Sequence, residues 1–396
     1  MARLQRRTAT MLFMNVGHTY AHLFLLLYPT AVLAMGDDFP GTYGERLSLS
    51  MFTFAALAIG TLPAGWLGDR WSRRGMMGLF FIGIGTSAVL VGLAEGKVGM
   101  AVGLALIGLF SSIYHPVGTA VVVENARHLG KAIGVNGVFG NLGVALAAIV
   151  AGALSDLISW RAAFIVPGIA AAATGVAYVV FSRGGAGAPV GPAAHSADGM
   201  THGIRIRMFA FVAVGTMCSG MTFNALTVAL PKVFEERLAE LAATTTEVGA
   251  WVFVVIAFAA AGQVVVGHLL DRYPLKPVYV GTVFLQVALL LLAANASGAA
   301  LLVMSFVMMF LVLGETPIRD TLVGRFTSAE WRARVYAVKA VLSLGVAVAA
   351  VPLVAGVRDG TGGFLWLFLV LAIFASTPLV SALAQPTPSR PPAPST

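Results

Sequence analysis

Gly65-Trp66-Leu67-Gly68-Asp69-Arg70-Trp71-Ser72-Arg73-Arg74 is a polar, basic turn set between two long apolar runs, 47–63 and 76–93. A chain that crosses a bilayer must place such a turn at the water boundary. The turn has an echo: Gly267-His268-Leu269-Leu270-Asp271-Arg272-Tyr273 repeats its Gly-x-x-x-Asp-Arg core 202 positions later. Pro29 and Pro231, Glu45 and Glu247, Gly60 and Gly262, and Gly143 and Gly345 stand at that same offset, and His22 falls opposite Asn224. An offset of about half of 396 residues means that the two halves repeat one unit.

Composition sets the solvent. Hydrophobic residues are 58% of the chain and charged residues 11%, where a soluble domain has about 45–50% and about 25%. Mean hydropathy is +0.88. The chain is therefore expected in a membrane. Arg3, Arg6 and Arg7 precede an apolar run over 9–35, too long for a signal peptide, so this run is the first span. The one cysteine, Cys218, excludes an internal disulfide.

A spanning helix needs about 20 apolar residues. Twelve segments qualify: 9–35, 45–65, 75–93, 98–124, 131–154, 161–182, 206–231, 246–268, 277–294, 298–324, 333–355 and 362–383. The organisation expected is a six-helix bundle over 1–182, a linker over 183–205, a second bundle over 206–384 and a disordered proline-rich tail over 385–396. The face with the N-terminus, the Asp69 turn, the linker and the tail collects 17 Lys and Arg; the other collects six, with Arg319 and Lys339 inside spans. Both termini are thus expected to be cytoplasmic. The net charge of +8 is a topology signal rather than a nucleic-acid footprint.

Twelve spans in two halves fit a secondary transporter. The turn between spans 2 and 3 resembles the signature of the major facilitator superfamily, Gly-x-x-x-Asp-Arg-x-x-Arg-Arg/Lys, matched by Gly65, Asp69, Arg70, Arg73 and Arg74 and more loosely by Gly267, Asp271, Arg272 and Lys276. The resemblance implies an all-α integral membrane fold of 12 transmembrane helices in two pseudo-symmetric six-helix bundles. It also implies that the turns act as a conformational latch, a role carried to Gly65, Asp69, Arg70, Arg73, Gly267, Asp271 and Arg272. Gly108-Leu109-Phe110-Ser111-Ser112-Ile113-Tyr114-His115-Pro116, Gly137-Val138-Phe139-Gly140-Asn141-Leu142-Gly143 and His18 are similar to segments of bacterial fosmidomycin-resistance-type efflux proteins.

Polar groups in mid-span are expensive and mark function. His18 and His22 stand one helical turn apart and share a face, either lining a central cavity or hydrogen-bonding a neighbouring helix. His115 precedes Pro116 in span 4, and Glu315 and Pro317 hold nearly the same place in span 10. Proline frees a backbone carbonyl and is expected to open both helices locally. Glu315 and Arg319 form an i,i+4 pair in which Glu315 can carry a coupling proton and Arg319 a substrate carboxylate or phosphonate. Asp320 and Arg319 are alternatively an interhelix latch. Asp69 is expected to find a basic partner such as Arg127 at the end of span 4. Gly134, Gly137, Gly140 and Gly143 form a small-residue strip for close helix packing.

No phosphate-binding loop of the Gly-x-x-x-x-Gly-Lys type and no nucleophile–base constellation is present in the sequence, so neither ATP hydrolysis nor catalysis is expected. The reading is a monomeric, proton-driven exporter of a small polar or anionic solute in the bacterial inner membrane. It needs no cofactor beyond the proton gradient. The cavity would be lined by His18, His22, His115, Asn224, Glu315 and Arg319, with protons neutralising Glu315 or charging a histidine. The alternatives are a divalent-metal transporter using His18, His22 and Glu315, and a non-transporting membrane interaction subunit.

Overall fold

A computed structural model describes residues 2–182, 202–326 and 329–383 of the chain. The regular structure of the described residues is helical, with no strand among them. Helices α1 (Ala2–Ala31), α2 (Tyr43–Ser48), α3 (Met51–Arg70), α4 (Arg73–Gly92), α5 (Lys97–Ser111), α6 (Thr119–Asn125), α7 (Leu129–Leu157) and α8 (Ala162–Ser182) make the first half. The second half holds α9 (His202–Arg237), α10 (Thr245–Arg272), α11 (Leu275–Ala293), α12 (Gly298–Phe326), α13 (Ala329–Thr361) and α14 (Leu365–Leu383).

Because α2 with α3, and α5 with α6, each make one crossing, these helices form twelve passages, as the hydropathy pattern predicts. Among the described residues, ten stretches are long and apolar enough to span a bilayer. The α1 helix is not among them: Asn15, His18, Thr19, Tyr20 and His22 lower its hydropathy. Large apolar side chains such as Ile59, Leu62, Val264, Phe284 and Ile373 are exposed, as lipid-facing positions require. Buried positions instead mix Phe, Tyr and Met with Gly, Ala, Ser and Thr, the small residues that let membrane helices approach. Since α9 begins at His202, the last residues of the expected linker are helical; 183–201 and the tail from 384 lie outside the described residues.

The repeat seen in the sequence is also a repeat in packing. In the first half α1 packs on α7, α3 on α5, and α4 on both α5 and α8. Their counterparts 202 residues on pair in the same way: α9 on α13, α10 on α12, and α11 on both α12 and α14. Gly60 and Gly262 serve the same crossing in each copy. A Cβ at Gly60 would sit 2.5 Å from Ser112 Oγ, and one at Gly262 would sit 2.2 Å from the Phe310 carbonyl oxygen. Between the halves, α7 meets α10 and α13 meets α2 and α3, again an equivalent pair.

Candidate functional site: an imidazole cluster, a buried ion pair and two clamps

The first polar centre lies where α1, α7 and the break between α5 and α6 converge. Pro116 has no N–H, so the α5 ladder cannot run on unchanged. The chain answers with a π-turn over Tyr114–Gly118, closed by the Thr119 amide on the Tyr114 carbonyl. Such wide turns recur at functional sites. This one brings His115 to the histidine pair of α1. The His115 ring centroid is 5.5 Å from that of His18 and 5.4 Å from that of His22. None of the three rings is fully buried.

A hydrogen-bond network fixes the His18 ring. His18 Nδ1 lies 2.7 Å from the Asn136 carbonyl oxygen. A carbonyl only accepts, so Nδ1 carries the proton and the neutral ring has its lone pair on Nε2. His22 Nε2 stands 3.2 Å from that nitrogen and donates to it. Tyr114 stacks on His18 with centroids 4.8 Å apart and donates from its hydroxyl to the Met14 carbonyl at 2.7 Å. The Asn136 amide donates to Tyr114 Oη at 2.8 Å and to Asn15 Oδ1 at 3.0 Å. Asn15 and Asn136 were not legible as site residues, since a lone amide in an apolar run carries no spacing signal. Gly140 gives the His18 ring its room: a Cβ there would lie 2.6 Å from it. Gly143 likewise abuts the Thr19 carbonyl, but Gly134 and Gly137 face open space. Only half of the expected glycine strip packs.

The second centre sits in α12. Glu315 is 1% exposed and accepts from Arg319 Nη1 at 2.9 Å. Arg319 Nε is buried and has no hydrogen-bond partner among the described residues. Glu315 thus belongs to an ion pair of the second half. The compact group of metal-ligating side chains among the described residues is instead His18, His22 and His115. That corrects the expected metal set of His18, His22 and Glu315: Glu315 is held by its own helix, and the π-turn supplies the third imidazole. Asn224 donates to the Gly220 carbonyl of its own helix at 2.8 Å. At Pro317, unlike Pro116, the missing N–H does not break the helix: α12 runs through it.

At the Asp69 turn, Arg73 bridges Asp69 at 2.7 Å and also pairs with Glu124 at the end of α6. The expected Asp69–Arg127 pairing is therefore replaced by Arg73, four residues on and across the break between α3 and α4. Arg127 instead lines a basic cleft of about 310 Å³ with Arg7, His128 and Lys131. Arg70 stacks on Trp66, 4.7 Å from the ring centroid. Behind the turn, a Cβ at Gly65 would be 3.3 Å from Pro116 and one at Gly68 would be 2.6 Å from Val117. Gly65 of the signature and Gly68 beside it thus seat α3 directly against the π-turn that carries His115. In the second copy Asp271 and Arg272 are exposed and a Cβ at Gly267 would meet open space. Asp320 pairs with Lys339 of α13.

On the far face, opposite the Asp69 turn, two polar clamps join the halves. Asp156 at the end of α7 accepts from the Thr246 amide at 2.6 Å and its hydroxyl at 2.7 Å, at the start of α10. Asp359 at the end of α13 accepts from the Gly44 amide at 3.0 Å and from the Thr42 hydroxyl, at the start of α2. Gly44 and Thr246 are repeat equivalents. The helices they open carry matching caps, Thr42 to the Glu45 amide and Thr244 to the Glu247 amide, each at 3.1 Å. Each clamp sets a carboxylate of one half on the positive end of a helix of the other. Close helix contact reinforces the first: Gly152 backs on the Thr245 carbonyl and Gly249 on the Ala148 carbonyl, with no room for a Cβ.

Solved structures share this architecture. A POT family transporter in complex with 5-aminolevulinic acid is 14% identical, with TM-score 0.74 and coverage of 95% of this chain and 96% of that one. A bacterial homolog of the human lysosomal transporter Spinster, in an inward-facing and unoccupied conformation, is 13% identical, with TM-score 0.71 and coverage of 96% and 93%. A D-xylose-proton symporter is 14% identical, with TM-score 0.71 and coverage of 94% and 95%. No curated protein matches the sequence. The family described as Major Facilitator Superfamily matches residues 12–203 and 212–396. With its duplicated six-helix packing and its polar centres in mid-span, the chain belongs to the major facilitator superfamily and is a transporter rather than an enzyme.

Proposed function

We propose that this chain is a proton-coupled carrier that works by alternating access and exports a small polar or anionic organic solute across the bacterial inner membrane, with both termini in the cytoplasm. The observation that carries this reading is the Glu315–Arg319 pair, a carboxylate 1% exposed and bonded at 2.9 Å to a guanidinium whose Nε–H has no partner among the described residues. A carboxylate or phosphonate on the solute takes a bidentate contact from Arg319. Ionised Glu315 holds Arg319 through Nη1 and leaves its Nε–H for that contact. A proton on Glu315 breaks the pair and loosens Arg319, so proton and solute exclude each other: proton entry from outside expels the solute, and proton release to the cytoplasm restores the pair for the next one. The halves then exchange access by parting the far-face clamps at Asp156 and Asp359 and closing the opposite side.

Two likenesses support the finer points. The Gly108 to Pro116 and Gly137 to Gly143 segments resemble fosmidomycin-resistance-type exporters, which favours a phosphonate or similar anion. The fold is shared with a D-xylose-proton symporter, so proton coupling is within its reach. The test is transport of labelled fosmidomycin, as the phosphonate probe, into inside-out proteoliposomes with and without a pH gradient. Flux should follow the gradient in the wild type and lose that dependence in Glu315→Gln. Flux that ignores the gradient, with Glu315→Gln indistinguishable from wild type, sinks the coupling scheme.

A further inference from the structure

We infer that His18, His22 and His115 form a binding site for a borderline-soft divalent cation of the Zn²⁺ class, built entirely within the first half. One nitrogen from each ring falls within 4.8 Å of the other two. Neutral imidazole is a ligand of choice for Zn²⁺, and three histidines with an open fourth position are a recurrent zinc set.

Geometry beyond proximity supports this. The His18 Nε2 to His22 Nε2 distance is 3.2 Å; with the His22 proton moved to its Nδ1 on metal binding, two Zn–N bonds of about 2.05 Å would span it at an angle of about 100°. The Nδ1–H of His18 is committed to the Asn136 carbonyl at 2.7 Å. That is the outer-shell bond which orients a metal-bound histidine and leaves Nε2 free to coordinate. Tyr114 holds the ring from its face, and Gly140 leaves the space in which it turns. His18 and His22 need only one helix, while His115 arrives through the π-turn. The three ligands therefore come from one rigid half, and an ion held there would ride with it as the halves move.

The fourth position stays open to water or to an oxygen of a solute. Hard cations are disfavoured, since Mg²⁺ and Ca²⁺ take oxygen ligands. The inference goes beyond the coupling scheme and does not depend on it, because it concerns a different half and is tested without any gradient.

The experiment uses the full chain purified in detergent without a polyhistidine tag. Equilibrium dialysis against Zn²⁺ should give one ion per chain, and Mg²⁺ at the same concentration should not compete. Co²⁺ in place of Zn²⁺ should give the intense visible absorption of a tetrahedral nitrogen site, a readout that needs no variant. His18→Gln, His22→Gln and His115→Gln, each checked as monodisperse by size exclusion, should lower Zn²⁺ affinity at least tenfold and bleach the Co²⁺ bands. His128→Gln and His268→Gln should leave both unchanged. Zn²⁺ binding by the wild type no stronger than by the triple glutamine variant overturns the inference, and so does loss of binding in His128→Gln or His268→Gln alone. Either result leaves the proton-coupling reading standing, just as a flat pH-gradient response would leave the metal site standing.

Discussion

The two halves share a backbone plan but hold opposite chemistry at equivalent positions. Where the first half has Tyr114 and His115, the second has Thr316 and Pro317; where the second has Glu315 and Arg319, the first has Ile113 and Val117. Asn136, whose side chain ties Tyr114 to Asn15, is replaced by Val338, and Asn15 by Met217. The first half's centre consists of neutral groups on three elements, linked by hydrogen bonds. The second half's centre is a pair of full charges one turn apart on a single helix. The duplication thus fixed crossings and caps while leaving the residues of the two polar centres free to diverge. The latch differs too: Arg73 and Glu124, which pair at the first turn, correspond to Leu275 and Phe326.

The sharpest way to break this contrast is to remove one charge. Arg319→Leu strands Glu315 in the interior and should cost about 3–5 kcal/mol, with the double variant Glu315→Gln/Arg319→Leu recovering most of it. Thermal unfolding in detergent reads both. The neutral network should yield less: Asn136→Ala unbinds Asn15 and one contact of Tyr114, for about 1–3 kcal/mol. A larger loss there than at Arg319 would reverse the ordering of the two centres.

Smaller effects sharpen the picture. Gly140→Ala forces a methyl against the His18 ring and should destabilise by about 1–3 kcal/mol, while Gly137→Ala, facing open space, should be neutral. The clamps are the symmetric feature, so Asp156→Asn and Asp359→Asn should have equal effects of about 1 kcal/mol or less. Each should speed maleimide labelling of a cysteine introduced as Ala355→Cys, a position buried at the far-face interface. Unequal rates would mean that one clamp alone holds that face.

Several of these features could be read along one dimension. The offset of 202 announced the duplication, and the matched Glu45 and Glu247 marked helix starts that the structure fills with Thr42 and Thr244 caps. His18 with His22 and Glu315 with Arg319 were visible as pairs because four residues is one helical turn. The partner of Asp69 was not. Arg73 was also four residues away, but it lies beyond a helix break, where helical spacing no longer predicts contact.

The amino-acid sequence alone determined that this is a duplicated twelve-span membrane protein and which residues share a face within each helix, because hydropathy and the 3.6-residue period act locally. Tertiary structure alone decided which faces meet. It turned His115 onto His18 and His22 through the π-turn, kept Glu315 apart with Arg319, and set Asp156 and Asp359 on helices of the opposite half. Those meetings depend on how whole helices cross, and on where glycine permits close approach, which no local pattern records.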